Sequence, residues 1–163
     1  MNPNHQHSVE QFLYCKAELC DSQAWDDYLA LFDEQSEFHV PQWDSEHSYT
    51  TDPRRGMSLI YYANRSGLED RVFRLRTGRS AASTPMPRTM HQISNVRIRE
   101  MEGGQLEVKA NWVTHHYRFD VSDCFYGYAT YHLRPDGDSW KITRKHVVLL
   151  NDRINAVLDF YHL

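Results

Sequence analysis

The chain is poor in what metal and redox chemistry needs. It has three cysteines, Cys15, Cys20 and Cys124, and no Cys-x-x-Cys pair among them. An odd count builds no disulfide framework and suits a reducing compartment. On a helix, Cys15 and Cys20 point about 140° apart, which is wrong for a disulfide or for shared ligation. The ten histidines include no His-Glu-x-x-His and no Cys-x-His. His115 and His116 are neighbours on a predicted strand, so their side chains leave opposite faces. His39, His91, His132 and His146 stand singly in strand patterns and read as hydrogen-bonded core or interface histidines rather than ligands. No Gly-rich loop opens a helix and there is no Gly-x-Ser-x-Gly, so neither a phosphate cradle nor a nucleophile elbow is encoded. No apolar run approaches the roughly 18 residues of a membrane span. Met1 to His7 lacks the basic-then-apolar order of a signal peptide. A cytoplasmic protein with no membrane partner is expected.

What the chain has in excess is aromatic surface and a charge split. Four Trp, ten Tyr and seven Phe favour sheets and ring-lined faces. Residues 1–52 carry eleven acids against Lys16 alone, while residues 53–163 carry seventeen Lys and Arg against eleven acids. Ten arginines fall in residues 54–99. A nucleic-acid surface would use such a segment. Its arginines are interleaved with core-type residues, however, and the sequence pI is about 6.2. Pairing between the acidic helices and the Arg-rich segment is the expectation, with no nucleic-acid partner.

A single domain over residues 1–163 fits the length, with 1–7 as a loose polar tail. Ser8 and Gln11 have capping-box spacing, and Val9, Leu13, Ala17 and Cys20 line one helix face, widened by Phe12 and Leu19. Asp21-Ser22 is placed to cap a second short helix bearing Trp25, Leu29 and Phe32. Ser36–Pro41 reads as a strand, residues 42–56 as a long loop, Met57–Tyr62 as a short helix or strand, and Leu68, Val72 and Leu75 as a third helix ended by Gly78. Two prolines enforce a loop over Arg79–Arg88. Strands follow. Thr89–Glu100 slips phase between Ile93 and Val96, as a bulge would cause. Leu106–Trp112 and Phe125–Leu133 alternate cleanly, and Asp136-Gly137 turns the chain into a last strand carrying Trp140, Ile142, Arg144, His146 and Val148. Helices before strands indicate an α+β fold with a curved, mainly antiparallel sheet. Tyr126, Tyr128 and His132 would leave rings on the face away from the helices, which calls for a partner.

One enzymatic alternative follows from such a cone. Tyr14, Asp21, His39 or His91 lining an enclosed pocket would supply the acid–base pair of a free-standing isomerase or dehydratase. The competing structural reading is that Asp21 caps a helix, Tyr14 packs and the histidines are satisfied locally.

Several segments taken in order carry a resemblance: Gln11–Tyr14 (QFLY), Trp25–Phe32 (WDDYLALF), Phe38–Trp43 (FHVPQW), Met57–Tyr62 (MSLIYY), Gly67–Gly78 (GLEDRVFRLRTG), Pro87-Arg88-Thr89, Ile93–Val96 (ISNV) and Trp140–Leu149 (WKITRKHVVL). Together they resemble the small (beta) subunit of aromatic-ring-hydroxylating dioxygenases over nearly the whole chain. Within that family the pattern is nearest to subunits serving benzoate-type acids, anthranilate first, with benzoate and 2-halobenzoate close behind. The resemblance implies a cystatin-like, NTF2-like cone and a non-catalytic role in an α3β3 assembly. The large (alpha) subunit would bear a Rieske [2Fe–2S] cluster and non-haem Fe(II), fed with electrons from NADH by a separate reductase. For anthranilate the product would be catechol, with loss of ammonia and carbon dioxide. The donor inventory agrees: a Rieske centre needs two Cys and two His at short spacing, and oxygen-activating iron needs two His and a carboxylate. No catalytic, cofactor or metal residue is expected in this chain. Contact residues are expected at Trp43, Asp44 and His47 on the long loop, at Arg79, Met86 and Arg88 around the proline-stiffened loop, and at Tyr161 and His162 in an apolar tail.

Overall fold

The computed structural model describes residues 2–163. Helix α1 spans Pro3–Asp21, α2 Trp25–Ala30 and α3 Ser66–Arg76. Strands are β1 (Phe32–Pro41), β2 (Ser58–Tyr62), β3 (Arg88–Glu100), β4 (Leu106–Arg118), β5 (Val121–Asp136) and β6 (Ser139–Leu149). They form one six-stranded sheet in the order β2-β1-β6-β5-β4-β3. Every neighbouring pair is antiparallel except β1 and β6, which run parallel. The expected α+β class with its mainly antiparallel sheet is what the chain adopts.

Of the expected loose tail at 1–7, residues 3–7 are instead helix, and Met1 lies outside the described residues. Pro3 occupies the first helical turn, where its missing N–H costs nothing, and Asn2 Oδ1 accepts from Asn4 N at 2.9 Å as the cap. Ser8 therefore starts nothing. Its hydroxyl accepts from Trp140 Nε1 at 2.9 Å and pins α1 to β6. Asp21-Ser22 does not cap α2, whose N-terminus at Ala24 has no side-chain cap. Phe32, read as helical, begins β1 and is fully buried.

The sheet's inner face carries the core. Leu106, Val108, Ala110, Trp112, Phe125, Ala129, Tyr131 and Leu133 point inward, against Val9, Phe12 and Leu13 of α1 and Trp25 and Tyr28 of α2. The β3 bulge falls where the apolar phase slips: pairing with β4 shifts between Ser94 and Arg97, and Asn95 takes a φ of 56°. A second bulge has no signal in the residue pattern. Between β5 and β6 the register jumps at His132/Leu133, so that His132 faces Arg144 and Leu133 faces Ile142. Thr143 is the extra residue, its Oγ1 donating to His132 O at 3.2 Å. The alternation of β6 flips there. Ile142 faces in, then Lys145, Val147 and Leu149 do, and Arg144 and His146 are turned to the other side.

At Gly127 it is the main chain of the neighbouring strand that demands a glycine. A Cβ on Gly127 would meet Val148 O at 1.8 Å, so β5 and β6 pair closely there only because the side chain is absent. At the β5–β6 hairpin Gly137 supplies a φ of 58°.

Candidate functional site

The sequence put forward four acid–base candidates, and the fold joins two of them. Asp21 ends α1 and reaches β3, where its carboxylate accepts from Thr89 Oγ1 at 2.9 Å, from His91 N at 2.9 Å and from His91 Nδ1 at 2.5 Å. Burial pushes the Asp21 carboxyl up, but the hydrogen bonds from His91 outweigh it and hold it below its ordinary value. Burial lowers His91, against the pull of Asp21. The pair is thus a carboxylate and a neutral imidazole whose Nδ1–H donates, leaving Nε2 buried and unpartnered.

Tyr14 is exposed on the outside of α1 and takes no part in the interior. His39 lies on the opposite sheet face from the core, with Nε2 3.0 Å from Ser58 Oγ and its ring 5.2 Å from that of His146. Tyr49 of the long loop covers His146 at 6.1 Å. Burial, the charge of Arg144 and His39 itself bring His146 down to about 4. The interior that the isomerase reading requires to be open is filled by Phe12, Trp25, Tyr28, Phe32, Phe38, Trp112 and Phe125. Asp21 and His91 therefore fasten α1 to β3 and face packed side chains rather than a substrate space.

Part of the Arg-rich segment pairs within the fold. Arg76 Nη2 meets Asp26 at 2.9 Å, Arg65 Nε meets Glu69 at 2.7 Å and Arg99 Nη2 meets Glu107 at 3.1 Å. Arg71 is more deeply engaged. Its guanidinium donates to Asp159 Oδ2 (Nε at 2.6 Å), Ser80 Oγ and Ser83 Oγ, and Ser83 Oγ lies 2.8 Å from Tyr161 Oη. The hydrogen bond to Asp159 raises Arg71 above its ordinary value.

The expected contact residues divide. Tyr161 and His162 are each 1% exposed and enclosed by their own chain, which corrects their assignment to a partner surface. Their short 3-10 turn is capped by Asp159, and His162 Nδ1 accepts from Asp159 N at 2.8 Å. Burial brings His162 down to about 3. Trp43 is half-buried and donates from Nε1 to Leu149 O at 2.8 Å, anchoring its loop to β6. Asp44 accepts from Thr50 Oγ1 at 3.2 Å within that loop, and His47 stands out from it. Met86 packs half-buried against the core, while Arg79 and Arg88 are exposed. Residue types did not flag the largest apolar exposure nearby: Phe73, 70% exposed, lines a groove with Arg71, Arg74 and Arg79, and Val157, 69% exposed, lines another with Arg71. Tyr126 and Tyr128 are exposed on the outer sheet face, as the strand alternation predicts.

Iron does not fit these residues. Among the described residues no group of three or more His, Cys, Asp or Glu is arranged to hold a metal ion. Cys15 and Cys124 are exposed on separate elements and Cys20 is buried on α1. Among the same residues no helix is long and apolar enough to cross a membrane.

Known proteins match this chain along nearly its whole length. The family model for the ring hydroxylating beta subunit matches residues 15–156. The anthranilate 1,2-dioxygenase small subunit of Acinetobacter baylyi (strain ATCC 33305 / BD413 / ADP1) is 57% identical over 156 residues, covering 96% of each chain. The crystal structure of the benzoate 1,2-dioxygenase beta subunit from Burkholderia mallei ATCC 23344 is 39% identical, covers 95% of each chain and superposes with a TM-score of 0.80. A chain of naphthalene 1,2-dioxygenase with indole bound shares the fold at a TM-score of 0.76 and 21% identity, over 93% of this chain and 81% of that one. The family model over residues 15–156 and the 57% identity across 96% of both chains mean that the chain belongs to the beta-subunit family of aromatic-ring-hydroxylating dioxygenases.

Proposed function

We propose that this chain is the structural, non-catalytic small subunit of a cytoplasmic, multicomponent Rieske non-haem-iron dioxygenase that converts anthranilate to catechol. The observation that carries the reading is the 57% identity to an anthranilate 1,2-dioxygenase small subunit over 96% of both chains, against 39% to the benzoate relative. The large alpha subunit would hold the Rieske [2Fe–2S] cluster and the Fe(II), and a separate reductase would deliver electrons from NADH. The donor geometry supports this division of labour, since the described side chains do not converge on a metal-sized point. The single domain over residues 1–163 would stand with its copies and the alpha subunits as α3β3. Trp43, Asp44, His47, Arg79, Met86 and Arg88 are the proposed contact residues. The exposed Phe73, which shares a groove with Arg79, supports a partner there, because apolar side chains this open to water mark an interface.

The test is co-expression with the partner large subunit. The complex, supplied with reductase and NADH, should release catechol from anthranilate faster than it turns over benzoate. Exchanging this chain for the benzoate relative's beta subunit should leave that preference in place. Stoichiometric iron on this chain purified alone, or a preference that follows the exchanged small subunit, overturns the reading.

A further inference from the structure

The two edges of the sheet are treated differently. At β3 the edge is closed by α1: Asp21 Oδ2 accepts from His91 N at 2.9 Å, and Gln6 Nε2 donates to Val96 O at 3.0 Å, beside the bulge at Asn95. At β2 the edge is open. Its ladder runs to β1 alone, and among the described residues no main-chain group of residues 58–62 meets a partner on the other side. Leu59, Ile60, Tyr61 and Tyr62 all line one groove of about 430 Å³, whose far wall includes Ala82 and Val157. Successive side chains of a strand leave opposite faces, so four in a row along one groove means that it follows the main-chain edge itself.

An open edge of this composition needs a cover. Met57 to Tyr62 (MSLIYY) has no charge, no proline and no glycine, and Met57, Leu59 and Tyr61 are 67%, 41% and 38% exposed. Edge strands are ordinarily blunted by a charge, a proline or a covering element, because an apolar edge left bare recruits other strands.

The surrounding charge selects what covers it. Arg54 stands close to Tyr61 on the outer-face side of the edge, and Arg71 and Arg74 stand close to Tyr62 on the helix side. Arg71 is engaged by Asp159, whereas Arg54 and Arg74 enter no ion pair among the described residues. The acids nearest Tyr61, Glu37 and Asp52, are matched by Arg144 and Arg55. The uncompensated charge at the edge is therefore positive on both sides. Antiparallel self-pairing of two copies keeps like faces on the same side, so Arg54 would approach Arg54 and Arg74 would approach Arg74, which opposes a second copy. A strand bearing carboxylates meets both arginines favourably.

We infer that the open edge of β2 takes one extended, acid-bearing segment of the large subunit as an added strand of the sheet. The main-chain groups of residues 58–62 supply the ladder, Leu59 and Val157 receive an apolar side chain of the segment, and Arg54 and Arg74 receive its carboxylates. The inference rests on the reading of this chain as a dioxygenase small subunit with an alpha partner.

Amide hydrogen exchange tests it, on the chain alone and on its complex with the co-expressed large subunit. Strand addition ties up the outward amides of residues 58–62, which should exchange at least about tenfold more slowly in the complex. Leu59→Glu and Arg74→Glu should each keep the thermal midpoint of the free chain and weaken assembly by about tenfold. A complex in which residues 58–62 exchange as in the free chain overturns the inference and leaves the subunit reading standing. No complex at all removes both. Protection of residues 58–62 that appears in the chain alone and rises with its concentration shows self-pairing and overturns the inference, as does assembly indifferent to both variants. If the variants fail to fold, exchange in the native complex decides alone.

Discussion

The guanidinium of Arg71 on α3 meets the carboxylate of Asp159 at 2.5 Å and ties the third helix to the last segment of the chain. Arg71 is 18% exposed and Asp159 6%. A carboxylate this enclosed is tolerated because the guanidinium and two main-chain N–H groups near it share its charge. Arg71→Ala would strand that carboxylate. The expected loss is about 3–5 kcal/mol, read from urea unfolding. A loss below about 1 kcal/mol would show the pair to be a surface-like contact.

Acidification should destabilise the fold before any carboxylate titrates. His91, His146 and His162 all have folded values below the unfolded 6.5, His146 at about 4 and His162 at about 3. A group depressed in the folded state contributes stability above its unfolded value and loses it as pH falls toward its folded value. Between about pH 6.5 and pH 5, His162 alone should withdraw about 2 kcal/mol. Asp21, also depressed, adds its loss only below its unfolded value of 3.8. Urea midpoints at about pH 7.5, 6 and 5 should fall in that order, and His162→Gln should flatten the slope. Stability that is level or rising into acid contradicts the assignment.

Two glycines should respond differently to alanine. At Gly127 the new Cβ has no escape from Val148 O, so β5 and β6 must separate, at an expected cost of about 2–3 kcal/mol or more. At Gly137 nothing lies within 4 Å and the cost is the φ of 58° alone, about 1 kcal/mol. Chemical denaturation of the two variants side by side checks the ranking, and equal losses would refute the close-approach account.

Helix α1 should depend on Asn2 for its start and on Ser8 for its docking. Asn2→Ala should fray the first turn, with faster amide exchange over residues 4–6 and about 1 kcal/mol lost. Ser8→Ala should leave those amides protected and instead free the Trp140 indole, shifting its fluorescence, at a similar cost. Fraying at residues 4–6 in Ser8→Ala would restore Ser8 as the cap.

Local patterns were enough for much of this protein. Strict alternation set β4 and β5, Asp136-Gly137 marked the hairpin, and the slip between Ile93 and Val96 announced a bulge, because each of these is written in residues adjacent along the chain. The signal for the burial of Lys16 was also present, since it falls in the Val9–Phe12–Leu13–Ala17–Cys20 stripe. What tertiary structure alone decided are the long-range meetings: Asp21 with His91, Arg71 with Asp159, His39 with His146, and Lys16 with Lys145. The last follows from the Thr143 bulge, which inverts the phase of β6 and turns Lys145 inward and Arg144 and His146 out. One residue of register decides which face a whole strand segment presents, and that register is set by the partner strand rather than by the segment's own residues.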